Sequence, residues 1–120
     1  MNEKKLELYI HIPFCVKKCD YCDFLSFPAD SNTQIRYVHA LLQEIRYYGK
    51  LLGDYHVPTI YIGGGTPSWL EENLIYTVLQ QVASSFHVES DAEISIECNP
   101  GTVTAKKLNV YQSAGINRLS

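Results

Sequence analysis

Apolar and polar positions alternate with a period of two in several short stretches of the chain. From Leu6 to Phe14, Leu8, Ile10, Ile12 and Phe14 alternate with Tyr9, His11 and Pro13, which predicts a first strand. A loop then runs to about Asn32, with Pro28 as a breaker, and Ser31 or Asn32 is placed to cap a helix over 33–52. Its apolar positions Ile35, Val38, Leu41, Leu42, Ile45 and Leu52 share one face, and Gly53-Asp54 ends it. A second strand over 58–62 runs into Gly63-Gly64-Gly65-Thr66-Pro67. Ser68 and Glu71 have the spacing of a capping box for a helix over 69–86, with Leu74, Ile75, Val78, Leu79, Val82 and Phe86 as its buried stripe. A third strand over 92–98 is followed by the turn residues Asn99-Pro100-Gly101, and Thr104 caps a short helix that closes near Gly115. Ile116 to Ser120 begins another strand-like run, so the chain reads as an N-terminal piece of something longer.

The order βαβαβα predicts an α/β fold with a parallel sheet and right-handed crossovers. The predicted strands carry two different faces. Ile60, Ile62, Ile94, Ile96 and Cys98 make an aliphatic side suited to helices, while Tyr9, His11, Tyr61, Glu93, Ser95 and Glu97 make a polar and aromatic side. A doubly wound sheet is apolar on both faces, so a polar second face favours a barrel interior. In barrels of this kind chemistry sits at the carboxyl ends of the strands. The loop after the first strand, the glycine run and Glu97 all fall at those ends.

Composition narrows the picture. At 120 residues and 46% hydrophobic content the chain can bury one core. The formal charge is -3, with charges of both signs scattered, which advertises neither a nucleic-acid partner nor an anionic membrane surface. The first apolar run is broken by His11 and Pro13 and is too short for a signal sequence or a membrane span, so a cytoplasmic location with reduced thiols is expected.

In that setting Cys15, Cys19 and Cys22, spaced C-x3-C-x2-C on the first loop, point to a metal centre. Zinc in a structural site wants four ligands, and a fourth is not evident nearby; a zinc loop with a distant ligand is the competing reading. A [4Fe–4S] cluster on three cysteines leaves one iron open to a small molecule. The glycine run lets backbone approach a ligand closely, although by itself it is also an ordinary tight βα turn. It matches neither a Walker loop nor G-x-G-x-x-G. Glu97 is either a ligand acceptor or half of a structural ion pair. Tyr9 and Tyr21 could be ligand contacts or core. His11 reads as a hydrogen-bonded structural histidine, His39, His56 and His87 as surface, and Cys98 as a buried small hydrophobe facing the helices.

These blocks, in order, are Tyr9-Ile10-His11-Ile12-Pro13-Phe14-Cys15, Cys19-Asp20-Tyr21-Cys22-Asp23-Phe24, Gly63-Gly64-Gly65-Thr66-Pro67 and Ile96-Glu97-Cys98-Asn99-Pro100. Through them the sequence resembles the radical S-adenosylmethionine (SAM) superfamily, and within it the oxygen-independent coproporphyrinogen oxidase-like branch. The resemblance implies a partial triosephosphate-isomerase-type (βα) barrel, of which residues 1–120 would be the N-terminal half of the core domain. It implies that Cys15, Cys19 and Cys22 each bind one iron and that SAM chelates the fourth. Reductive cleavage of SAM would then give a 5′-deoxyadenosyl radical. It further implies that Gly64, Gly65 and Thr66 contact the methionine end of SAM, that Glu97 accepts from its ribose hydroxyls or amino group, that Tyr9 lies near the sulfonium, and that Tyr21 lies on the adenine side.

Within the branch, two functions are implied. One is oxidative decarboxylation of coproporphyrinogen III in porphyrin biosynthesis. The other is a heme chaperone that binds heme and passes it to client proteins. Dehydrogenases of the branch tend to carry a fourth cysteine two residues after the third, where this chain has Phe24 after Cys22-Asp23. The short lead before Tyr9 points the same way, so the heme chaperone is favoured. A metal-bound scaffold without turnover is the third reading. Half a barrel on its own would leave an open strand edge and is expected to be poorly soluble or to self-associate.

Overall fold

The period-two stretches fold as expected into parallel strands, and the helices between them are laid against the aliphatic face. The computed structural model describes residues 4–14 and 30–120. Strands β1 (Leu8–Ile12), β2 (His56–Gly64), β3 (His87–Ile96) and β4 (Arg118–Leu119) form one parallel sheet in the order β1-β2-β3-β4. Helices α1 (Ser31–Leu52), α2 (Glu72–Ser85) and α3 (Ala105–Ala114) are the crossovers. The strand order never reverses, as it must in a doubly wound sheet. With α1 packed on α2 and α2 on α3, this is a singly wound sheet, the wall of a barrel.

The sheet contributes Ile10, Ile12, Ile60, Ile62 and Ile96 to the core, against Val38 and Ile45 of α1 and Ile75, Val78, Leu79 and Val82 of α2. The expected stripe of α2 is therefore the buried one. On α1 the buried line is Gln34, Val38, Ile45 and Gly49. Leu41, Leu42 and Leu52 flank it, but Ile35 is 47% exposed and does not belong to it. Gly49 lets α1 approach α2 closely, since a Cβ there would lie 2.6 Å from the Ser85 carbonyl oxygen.

Several boundaries differ from expectation for local reasons. Asp30, rather than Ser31 or Asn32, caps α1, its carboxylate accepting from the Thr33 N–H at 2.8 Å. That bond is the main reason the Asp30 carboxyl is held below its usual value. The Ser68–Glu71 capping box does not form. Residues Pro67–Trp69 make a 3-10 turn, and Glu71 starts α2 with no side-chain cap. Strand β3 begins at His87 instead of Ala92 because its first residues pair with His56 and Val57 before the register shifts opposite Pro58. Proline cannot donate to the ladder, and an irregularity beside it is the usual accommodation. Thr104 caps α3 as expected, accepting from Lys107 N–H at 3.1 Å. Gly115 ends it with φ 103° in the left-handed region. Asn117 then acts as an extra rung on β3. Its side chain accepts from Ile94 N–H and donates to the Ala92 carbonyl, each at 2.9 Å. None of the helices among the described residues is long and apolar enough to cross a membrane.

Candidate functional site

On the side of the sheet away from the helices, Tyr9, Tyr61 and Ser95 sit abreast on β1, β2 and β3. The Tyr9 and Tyr61 rings stack, with centroids 5.9 Å apart and planes 13° from parallel. Tyr9 is 59% exposed, so it lines an open surface and is not core. Its hydroxyl pKa is raised, first by the burial it does have and then by the negative charge of Glu97 and by Tyr61.

One step further along the strands the side chains give way to glycine. His11 of β1 lies beside Gly63 of β2. A Cβ on Gly63 would lie 2.8 Å from both Glu97 Oε1 and the Tyr9 hydroxyl, and 2.9 Å from Tyr61 Cε1. The missing side chain is what lets these groups converge. Gly64 adopts φ 122°, where any other residue is strained. A Cβ there would also lie 2.7 Å from the Ile12 carbonyl oxygen.

The glycine run is fastened to the end of β1. Gly65 N–H donates to the Ile12 carbonyl at 2.9 Å and Thr66 N–H to the Phe14 carbonyl at 2.6 Å. Phe14 itself is fully buried and meets Tyr37 of α1 edge-on, while the Tyr37 hydroxyl donates to the His11 carbonyl. The chain thus enters the cysteine loop from a fixed point. Cys15, Cys19, Tyr21, Cys22, Asp23 and Phe24 lie outside the described residues.

Glu97 follows β3 directly. Its Oε1 accepts from Gly64 N–H at 2.9 Å and its Oε2 from the Tyr61 hydroxyl at 3.0 Å. Among the described residues its partners are these two donors, and no basic side chain pairs with it. Gly64, Gly65, Thr66, Pro67, Glu97, Cys98, Asn99 and Pro100 line an open cleft of about 380 Å³, within the size range of small-molecule sites. The structure therefore brings Gly64, Gly65, Thr66 and Glu97 together, with Tyr9 on the adjoining face.

Two residues central to the rim lie outside the set expected from sequence. Tyr61 carries the Glu97 bond just described. Ser68 is fully buried. Its hydroxyl accepts from Asn99 N–H at 2.9 Å and is bonded to the Thr102 hydroxyl, and its carbonyl accepts from Lys107 Nζ. Ser68 so ties the glycine loop to the turn after β3. The only sequence signal was its position directly after Gly-Gly-Gly-Thr-Pro, which the capping-box spacing outweighed.

The remaining thiol and imidazoles sort differently. Cys98 is half-buried, lines the cleft, and donates its S–H to the Ile96 carbonyl at 3.7 Å. Burial pushes its pKa up, which favours the thiol over a metal-binding thiolate. His11 is exposed beside Gly64 and His39 is exposed on α1. His56 is half-buried and starts β2, instead of lying on a surface loop, and its ring lies against that of His87, with centroids 4.2 Å apart and planes tilted by 35°. This pair is at the opposite ends of the strands from the cleft.

Comparison with known proteins places this geometry. The chain is 45% identical over 116 residues to heme chaperone HemW of Escherichia coli (strain K12), covering 96% of this chain and 31% of that protein. It is 39% identical over 119 residues to the oxygen-independent coproporphyrinogen III oxidase of Salmonella typhimurium, covering 98% of this chain and 26% of that protein. The solved structure of coproporphyrinogen III oxidase (HemN) from Escherichia coli, a radical SAM enzyme, superposes with a TM-score of 0.90 at 36% identity, over 98% of this chain and 27% of that one. The chain thus spans a third or less of the length of the curated relatives it matches. The family model described as the radical SAM superfamily matches residues 9–120, and the chain belongs to that superfamily.

Proposed function

We propose that residues 1–120 are the N-terminal part of a radical SAM core domain whose rim binds a [4Fe–4S] cluster and SAM. Cys15, Cys19 and Cys22 would each hold one iron, leaving the fourth to the amino and carboxylate groups of SAM. The observation that carries this reading is the pinning of Gly65 and Thr66 to Ile12 and Phe14. It sets the start of the cysteine loop beside the cleft that Glu97 and the glycines line. Three thiolates on a short loop are a donor set suited to iron–sulfur chemistry. When bound and reduced, the cluster supplies the electron that breaks a carbon–sulfur bond of the SAM sulfonium.

The chain's own residues divide the remaining work. The N–H groups of Gly64, Gly65 and Thr66 already donate within the protein. What they offer a ligand is therefore carbonyl lone pairs and the Thr66 hydroxyl, which suits an ammonium group. Glu97 has used one acceptor position on each oxygen and keeps capacity for ribose hydroxyls or the amino group. By the family resemblance Tyr9 would pack near the sulfonium and Tyr21 on the adenine side.

Within the superfamily we favour a heme chaperone that binds heme and delivers it to client proteins. Phe24, where the branch's dehydrogenases tend to place a fourth cysteine, supports this, as does the 45% identity to a HemW. The second reading is oxygen-independent coproporphyrinogen III dehydrogenation, supported by the 39% identity to an oxidase of that name. Anaerobic heme titration of the full-length protein, run beside a coproporphyrinogen assay, separates them. Stoichiometric heme binding without turnover is expected; turnover without heme retention would reverse the assignment.

A further inference from the structure

We infer that Tyr61 is a positioning residue that fixes the Glu97 carboxylate in the cleft, an inference that rests on the reading of Glu97 as a SAM acceptor. A glutamate after the end of a strand has free side-chain torsions, and ordering them at the moment of binding costs affinity. Here they are ordered beforehand from two sides. Gly64 N–H holds Oε1 at 2.9 Å and the Tyr61 hydroxyl holds Oε2 at 3.0 Å.

Tyr61 is itself fixed. Its ring lies on Tyr9, 13° from parallel. Its hydroxyl is also 3.3 Å from Ser120 Oγ, so that oxygen can accept from Ser120 while donating to Glu97. Gly63 completes the arrangement, because any Cβ there would lie within 3 Å of Glu97, Tyr9 and Tyr61 together. Donors bind both carboxylate oxygens, yet no basic side chain among the described residues neutralises the charge. Each oxygen keeps acceptor capacity, which suits a donor-rich or cationic group of the ligand, an ammonium or a vicinal diol. Phenylalanine at position 61 would keep the stack on Tyr9 and release only Oε2.

The test is a double-mutant cycle on the full-length protein with its cluster reconstituted anaerobically, measuring equilibrium SAM binding and iron content separately. Tyr61→Phe is expected to keep its iron and bind SAM more weakly by about tenfold or more, the scale of one hydrogen bond to a charged group. In a Glu97→Ala background the same substitution should change affinity by less than about twofold, since Tyr61 then has nothing to hold. Unchanged binding by Tyr61→Phe, or a full loss that persists in the Glu97→Ala background, would overturn the inference. So would a Glu97→Ala protein that binds SAM normally. If the unsubstituted protein assembles no cluster, the functional reading fails instead. The positional claim is then read from the Gly64 amide proton in glycine-labelled protein. It moves upfield in Tyr61→Phe if the carboxylate has loosened, and a resonance that stays in place refutes the claim.

Discussion

The two faces of the sheet are built from the same strands and do opposite work. Toward the helices, Ile10, Ile12, Ile60, Ile62 and Ile96 are buried among the side chains of α1 and α2. Away from them, Tyr9, Tyr61 and Glu97 keep hydroxyl and carboxylate groups on an open surface, with Gly63 making room. One-residue alternation sends neighbours such as Tyr61 and Ile62 to opposite faces. Under the proposed function, folding free energy and ligand contacts fall to separate sets of positions. Substitutions on the first face should cost stability, and substitutions on the second should cost affinity at nearly constant stability.

The largest stability effect expected is on the helix side. Ile62→Ala, at a position with 0% exposure, should lower folding stability by about 2–5 kcal/mol. A shift of the denaturation midpoint would show it, and a midpoint within error of the parent would break the comparison. The opposite outcome is expected one residue along. Gly63→Ala pushes against the side-chain ends of Glu97 and Tyr9 and the edge of Tyr61, so it should weaken SAM binding by roughly tenfold or more. Its melting temperature should change far less than that of Ile62→Ala. Tyr9→Leu is a milder case. With the side chain 59% exposed, little packing is lost, and a SAM affinity reduced about threefold at unchanged melting temperature is expected.

The smallest effect is pH-dependent and lies off the sheet. Glu72, in the first turn of α2, has its pKa lowered by its own backbone N–H and then by Lys106, whose Nζ is 3.3 Å away. A carboxyl with a lowered folded-state pKa adds stability that is present above its unfolded value, near 4.5, and is lost as pH falls through the lower folded value. The melting-temperature advantage of the parent over Glu72→Gln should therefore be steady above about pH 6 and shrink as pH falls below the ordinary carboxyl value. A difference independent of pH would remove the electrostatic account of that turn.

What could be read in the sequence follows the same division. The order of the strands, most of the stripe of α2, the Thr104 cap and the Gly115 stop follow from local pattern, and the structure has them in the expected places, although the strand ends differ. The rim motifs were legible as types, in that glycines after one strand and a carboxylate after another had to meet at the carboxyl ends. Partners distant in sequence were not legible. Ser68 has the spacing of a cap, but the N–H of Asn99, brought in by the parallel pairing of β2 and β3, takes its hydroxyl. Tyr61 reads as one more strand aromatic until Glu97, just past the end of the next strand, is seen to meet its hydroxyl. The early start of β3 depends on Pro58 of the neighbouring strand, which no local window over 87–96 contains.

The central claim is that the loop entered at Cys15 carries an iron–sulfur cluster beside the cleft. Its most direct test is anaerobic reconstitution of the full-length protein with iron and sulfide, read by iron content and by paramagnetic resonance with and without SAM. A full cluster whose resonance changes on adding SAM is predicted for the parent and for Cys98→Ala, whose thiol is held protonated by burial. Loss of the cluster is predicted for Cys15→Ala, Cys19→Ala and Cys22→Ala; full cluster content in those three variants would contradict the account.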